Sequence, residues 1–174
     1  MNYKAQPNDF VGRWREIISD PLNILIERHP NSGLCDEDGN VYLHNGNKVP
    51  LAGENSYYED FSKVLVLNRG VHEPLEEFCF QEMLKKVTAQ NPVMIELGSY
   101  WAHYSMWFKK KFPDAQCFMV EESNKGLNAG RHNFSVNNLS NGDFILSKVG
   151  NNAFTIDDFA KEKKYQCNLY NNLI

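Results

Sequence analysis

One stretch constrains the fold more than any other: Val93-Met94-Ile95-Glu96-Leu97-Gly98-Ser99-Tyr100-Trp101-Ala102-His103-Tyr104-Ser105. Three apolar residues run up to an acid and a glycine, and an aromatic run with helical spacing follows. That pattern predicts a buried strand, a tight turn and a helix start. No polar residue precedes Glu96 in the strand, so both faces are expected to be covered, as in a parallel sheet. Gly98 stands where the strand turns into the helix, and a side chain there would keep a ligand from the backbone.

A second apolar strand, Cys117-Phe118-Met119-Val120, also ends in acid, Glu121-Glu122. Gly98 and Glu121 are 23 residues apart. In nucleotide-binding βαβ units the ribose-binding acid follows the glycine turn by about 20 residues. The glycines themselves are not those of a dinucleotide site. G-x-G-x-x-G from Gly98 would need glycine where Tyr100 and His103 stand. A pyrophosphate has no obvious cradle, which disfavours NAD, and a cofactor with a ribose and no pyrophosphate suits the site better.

Further elements follow from periodicity. Phe10, Val11, Trp14, Ile17 and Ile18 predict a helix over 10–19 with Asn8 as cap, and Leu22 to Ile26 a second helix reaching Glu27. Val41–His44 and Lys48–Leu51 flank Asn45-Gly46-Asn47, a hairpin signal, with Pro50 confined to an edge. Asp36-Glu37-Asp38-Gly39 reads as a turn. A calcium loop starting at Asp36 would need glutamate at its twelfth position, where Asn47 stands. Val64–Leu67 predicts a short strand. Glu73-Pro74 opens a helix whose expected buried face is Leu75, Phe78, Cys79, Met83, Leu84 and Val87.

The aromatic helix is expected from Ser99 to Phe112, with Trp101, Tyr104 and Phe108 sharing a core face, and with Tyr100 and Trp101 in the turn beside Gly98 as either core or ligand contacts. Lys109-Lys110-Lys111 fall at its end, where cations complement the helix dipole. A helix over 124–138, a strand Asp143–Leu146 and a helix capped by Thr155 and running from Ile156 to Lys164 complete the reading. Residues 166–174 fit neither state: Leu169-Tyr170 and Leu173-Ile174 are apolar, but the asparagines suit a strand badly.

From Asn68 to Phe159 the chain resembles the FkbM-type family of S-adenosylmethionine-dependent methyltransferases. The residues carrying the resemblance are Gly70-Val71-His72-Glu73-Pro74, Ile95-Glu96-Leu97-Gly98-Ser99 and Val120-Glu121-Glu122-Ser123. Gly130-Arg131-His132-Asn133-Phe134 with Asn137-Asn138, and Phe154-Thr155-Ile156-Asp157-Asp158-Phe159, follow in order. Three departures stand out. Ala102 occupies a place where the family usually has a second glycine, and Glu122 one where it commonly has proline. The family also continues into a strand bearing Lys-x-Asp-x-Glu-Gly, and this chain reaches Ile174 without that motif.

The resemblance implies an α/β fold: a partial Rossmann-like methyltransferase sheet with helices on both faces over 68–174, preceded by an α+β region of helices and a hairpin over 1–67. It implies S-adenosylmethionine as cofactor and O-methylation of a small molecule or sugar. The expected cofactor-binding residues are Glu96, Gly98, Ser99, Tyr100, Glu121, Glu122 and Asp143. Glu121 or Glu122, as strand register decides, meets the ribose. Gly98 and Ser99 meet the methionine portion. Glu96 holds the turn or reaches the amino group, and Asp143 approaches the adenine. His72 and Glu73 stand near an expected pocket mouth. His103 is either a base or a core residue. The competing reading is an incomplete, non-catalytic domain serving as a dimeric binding or structural module.

Only 82 residues run from Val93 to Ile174, room for three or four strands of such a sheet. Half a doubly wound sheet leaves an edge unpaired, so a homodimer is expected. The formal charge of −4 implies no broad basic surface and no nucleic-acid partner. Four widely spaced cysteines form no C-x-x-C pair, and His29, His44 and His132 have no metal-ligand spacing. The N-terminus lacks the apolar core of a signal peptide, and no run approaches a membrane span. A cytoplasmic protein without membrane partners is expected.

Overall fold

The computed structural model describes residues 9–163. The expectations for Asn8 and for residues 166–174 lie outside them. Two compact units divide the chain, one through Met83 and one from Leu84.

The first unit holds helix α1 (Phe10–Ser19), strands β1 (Asn40–Tyr42) and β2 (Lys48–Pro50), and helices α2 (Lys63–Leu67) and α3 (Pro74–Leu84). Asp9 caps α1, accepting from the Gly12 amide at 2.8 Å. The helix expected over 22–27 is one 3-10 turn, Pro21–Ile24, capped by Asp20. β1 and β2 form the expected antiparallel hairpin, with Asn40 opposite Pro50. Asp36 builds the turn before it, accepting from the amides of Asp38 and Asn40 and pairing with Lys48 at 2.9 Å.

Val64–Leu67 is a helix and not the expected strand. Val64, Leu65 and Asn68 are buried while Val66 and Leu67 are exposed, a helical distribution that alternation cannot produce. α3 also turns an unexpected face inward. Leu84 is buried as expected, but Leu75 and Cys79 are exposed, and Glu77 and Gln81 are buried in their place. The Glu77 carboxylate accounts for this. It lies 3.0 Å from His44 Nε2 and 2.5 Å from His72 Nδ1, and accepts from the amides of His72 and Glu73. Burial pushes this carboxyl up, but the two imidazoles outweigh it and hold Glu77 well below the usual carboxylate range. The His44 amide donates to Gly70, whose left-handed φ of 82° and close approach to Leu43 leave no room for a side chain. These contacts place residues 68–83 with the first unit.

The second unit is a three-stranded parallel sheet in the order β3-β4-β5: β3 (Val93–Leu97), β4 (Gln116–Glu121) and β5 (Gly142–Leu146). α4 (His103–Lys111) connects the first two strands and α5 (Asn124–Val136) the next two. α4 and α5 pack on each other and therefore share one face. Cys117 and Met119 point to that face: Cys117 Sγ meets Ser105 O, and Met119 and Phe134 both crowd Gly142. Phe118 points to the other, where Phe159 of α6 (Ile156–Glu162) meets it edge-on at 4.7 Å. The sheet thus has helices on both faces, and residues 117–120 are buried. This is the α/β, Rossmann-like arrangement expected for the segment.

Lys109, in the last turn of α4, is buried. Its ammonium donates to the carbonyls of Pro113 and Ala115, closing the connection into β4. Burial lowers the Lys109 pKa. Burial also pushes the Cys117 thiol up to about 12.

Candidate functional site

The carboxyl ends of β3 and β4 meet at the turn 98–102. Gly98 adopts φ 70°, and a Cβ built there would have no heavy atom within 4 Å. Tyr100 (φ 40°) and Ala102 (φ 62°) are also left-handed. Two such residues cannot continue a right-handed helix, so α4 begins at His103 and not at Ser99. Ala102 sits in a conformation that glycine adopts more readily than alanine. The amides of Gly98 and Ser99 both donate to Val120 O, at 2.8 and 3.1 Å, tying the turn to β4.

Glu121 is the acid facing this turn. It lies on the α4/α5 side of β4, two residues beyond Met119, and its Oε2 accepts from the Tyr100 amide at 3.0 Å. Its Oε1 accepts from the Ser123 amide at 2.8 Å, at the start of α5, where Ser123 is the cap. Strand register therefore separates the two acids. Glu122 is exposed and points elsewhere, 3.9 Å from Lys148 Nζ.

Glu96 turns inward. It is buried and accepts from the amides of Tyr104 at 3.3 Å and Ser105 at 3.0 Å, which in the first turn of α4 have no intrahelical acceptor. Burial pushes its carboxyl up to about 7, against the Ser105 hydroxyl and the two amides, which favour the ionised form. Of the two roles expected for Glu96, this is the holding one.

The structure puts Asp143 at the far end of its strand. It is the second residue of β5, opposite Phe118, and accepts from Gln116 Nε2 at 3.1 Å. The carboxyl end of β5 is Leu146, opposite Glu121, and the chain leaves through Ser147, whose amide donates to Glu121 O. An acid at the amino end of a parallel strand does not face a ligand at the carboxyl ends, so the adenine role does not suit Asp143. Strand direction was the signal: the residues after Leu146, not Asp143, follow the carboxyl end of β5.

Gly126 also belongs here. A Cβ at this position would lie 3.1 Å from Glu121 Cγ and from Tyr100 Cδ2. Ser99 is 3% exposed, and among the described residues its hydroxyl has no hydrogen-bond partner. A buried hydroxyl in the turn, open space over Gly98 and a carboxylate between turn and helix are together suited to a small polar ligand. His103 is buried among Trp101, Tyr104 and Trp107, within 6.2 Å of each ring, as a core residue would be. His72 and Glu73 belong to the first unit.

Fold and site define an open βαβαβ unit with a glycine turn and a carboxylate at adjacent strand ends. No family model matches the chain, and no curated protein matches it. Among solved structures it is similar to a protein from Plasmodium falciparum named, provisionally, a protein-L-isoaspartate O-methyltransferase, in complex with S-adenosyl-L-homocysteine. The identity is 12%, the TM-score 0.37, and the match covers 76% of this chain and 57% of that one. The chain thus matches little more than half the length of that protein. Among the described residues no helix is long and apolar enough to cross a membrane.

Proposed function

We propose that the second unit binds S-adenosylmethionine and that the chain is a methyltransferase of the FkbM type acting on an oxygen of a small molecule or sugar. The observation that carries this reading is Glu121, an acid held at the end of β4 against the Gly98–Ala102 turn. Each oxygen accepts one backbone bond and keeps lone-pair capacity for a ribose hydroxyl. The Ser99 hydroxyl and the space over Gly98 fit the methionine portion. When bound, the cofactor supplies a methyl group already activated on a sulfonium. The protein's task is then to position the acceptor and exclude water, which asks little of acid–base residues.

A second reading has its own support. The Gly98 and Ser99 amides are both committed to Val120 O, and Glu121 is committed to two backbone amides. A turn so self-satisfied also suits a module that binds no cofactor. Calorimetric titration with S-adenosylhomocysteine separates the two. Micromolar binding that is lost in Glu121→Ala and Gly98→Val supports the first; no binding by the intact chain overturns it.

The same reading takes the chain as a cytoplasmic homodimer without nucleic-acid or membrane partners. Among the described residues β3 and β5 are each paired on one side only, and Leu97 and Leu146 at their ends are exposed. Sedimentation at micromolar concentration is expected to show a dimer. A well-behaved monomer removes that part of the reading.

A further inference from the structure

Two Asn-Gly pairs stand in the chain, Asn45-Gly46 and Asn141-Gly142. Such a pair can react with itself, because glycine has no side chain to keep its main-chain nitrogen away from the asparagine side chain. The fold treats the two pairs differently. At the hairpin turn Gly46 is buried and its amide donates to Leu43 O at 2.9 Å. Asn45 Oδ1 accepts from the Asn47 amide at 3.0 Å. Ring closure at this pair would break both bonds.

Asn141-Gly142 leads into β5, which among the described residues is paired on one side only. The Cys117 amide donates to Asn141 O at 3.1 Å, and the Ser147 amide to Glu121 O at 3.0 Å. With Gly142 opposite Cys117, that ladder takes its donors from Asp143, Ile145 and Ser147. The amides of Gly142, Phe144 and Leu146 therefore turn away from β4, toward the open edge. Asn141 is exposed, in a bend with a left-handed φ of 56°. Among the described residues no hydrogen bond engages its side chain.

We propose that Asn141 is a site of spontaneous deamidation in the folded protein, and that Asn45 is protected by the fold. The Gly142 nitrogen attacks the side-chain carbonyl carbon of Asn141. A carbon–nitrogen bond forms, a succinimide ring closes, and the side-chain nitrogen leaves as ammonia with the proton that Gly142 gives up. Water then opens the ring at either carbonyl, leaving aspartate or isoaspartate. Ammonia is exchanged for water, and nothing is oxidised or reduced. In the isoaspartate the main chain runs through the side-chain carbon, and the former acceptor of the Cys117 amide becomes a free carboxylate. The inference goes beyond the cofactor reading and does not depend on it. It requires the β5 edge to be open in solution, so a dimer of the chain must join elsewhere.

The test is prolonged incubation of the full chain in mildly alkaline buffer, followed by peptide mapping with mass spectrometry, beside a sample unfolded in urea. In the folded chain Asn141 is expected to convert at least about tenfold faster than Asn45, which reacts only through local opening. In urea the two should convert at similar rates. Ion exchange should resolve an acidic isoform accumulating in the wild type. Asn141→Gly keeps the left-handed backbone without the reacting amide, and should lack that isoform. Three results overturn the proposal: Asn141 and Asn45 converting equally slowly in the folded chain, Asn141 converting about tenfold faster in urea than in the fold, or the same acidic isoform from Asn141→Gly.

Discussion

Glu96 ties the start of α4 to β3, and the charge it carries should be visible in the stability of the protein. Its carboxyl is pushed up to about 7 by burial, against an ordinary value of 4.5. A group whose pKa is raised on folding stabilises the protein below its unfolded value, and that contribution is lost as pH rises through the folded one. The window is therefore between 4.5 and about 7. Integrating the linkage for this one group from about pH 5 to about pH 8 gives a loss of about 2.5 kcal/mol. Glu96→Gln cannot ionise and keeps one carbonyl oxygen for the amides of Tyr104 and Ser105. Urea denaturation of both proteins at several pH values measures the difference. The wild type should lose about 2.5 kcal/mol more than the variant across the range, within about 1 kcal/mol. Parallel profiles would mean that Glu96 ionises in the fold at its ordinary pKa, and the account of a dry carboxyl capping α4 would fail.

Three other outcomes are expected. Gly126→Ala places a methyl 3.1 Å from both Glu121 Cγ and Tyr100 Cδ2. It should weaken S-adenosylhomocysteine binding about tenfold while leaving stability within about 1 kcal/mol, since alanine is the better helix former; calorimetry and denaturation read the two separately. Glu77→Gln leaves two buried histidines without their carboxylate and should cost roughly 3–5 kcal/mol at neutral pH. Because the Glu77 pKa is depressed, that difference should shrink as pH falls below 4.5, which a pH series of denaturation curves checks. Lys109→Met keeps the buried stem but strands the carbonyls of Pro113 and Ala115, and should lower stability by about 2–3 kcal/mol in thermal or urea denaturation.

The sequence by itself determined the parallel sheet, and it did so through local pattern. Apolar runs ending in acid or turn residues placed β3, β4 and β5 within a residue or two, and Asn45-Gly46 placed the hairpin. Gly98 and the acid 23 residues on were legible because a turn and a strand end are local events. Tertiary structure decided everything that depended on a distant partner. Val64–Leu67 is β-prone in composition yet helical, because its burial follows a three-dimensional neighbourhood and not alternation. Apolar periodicity chose Leu75 and Cys79 as the inner face of α3, whereas the buried imidazole of distant His44, with that of nearby His72, drew Glu77 inward. Glu121 was separated from Glu122 only by which face of β4 each occupies, and Asp143 lost its place because strand direction puts it at the wrong end of β5. A sequence records how apolar and polar residues alternate; which buried charge meets which partner is settled only when distant segments pack.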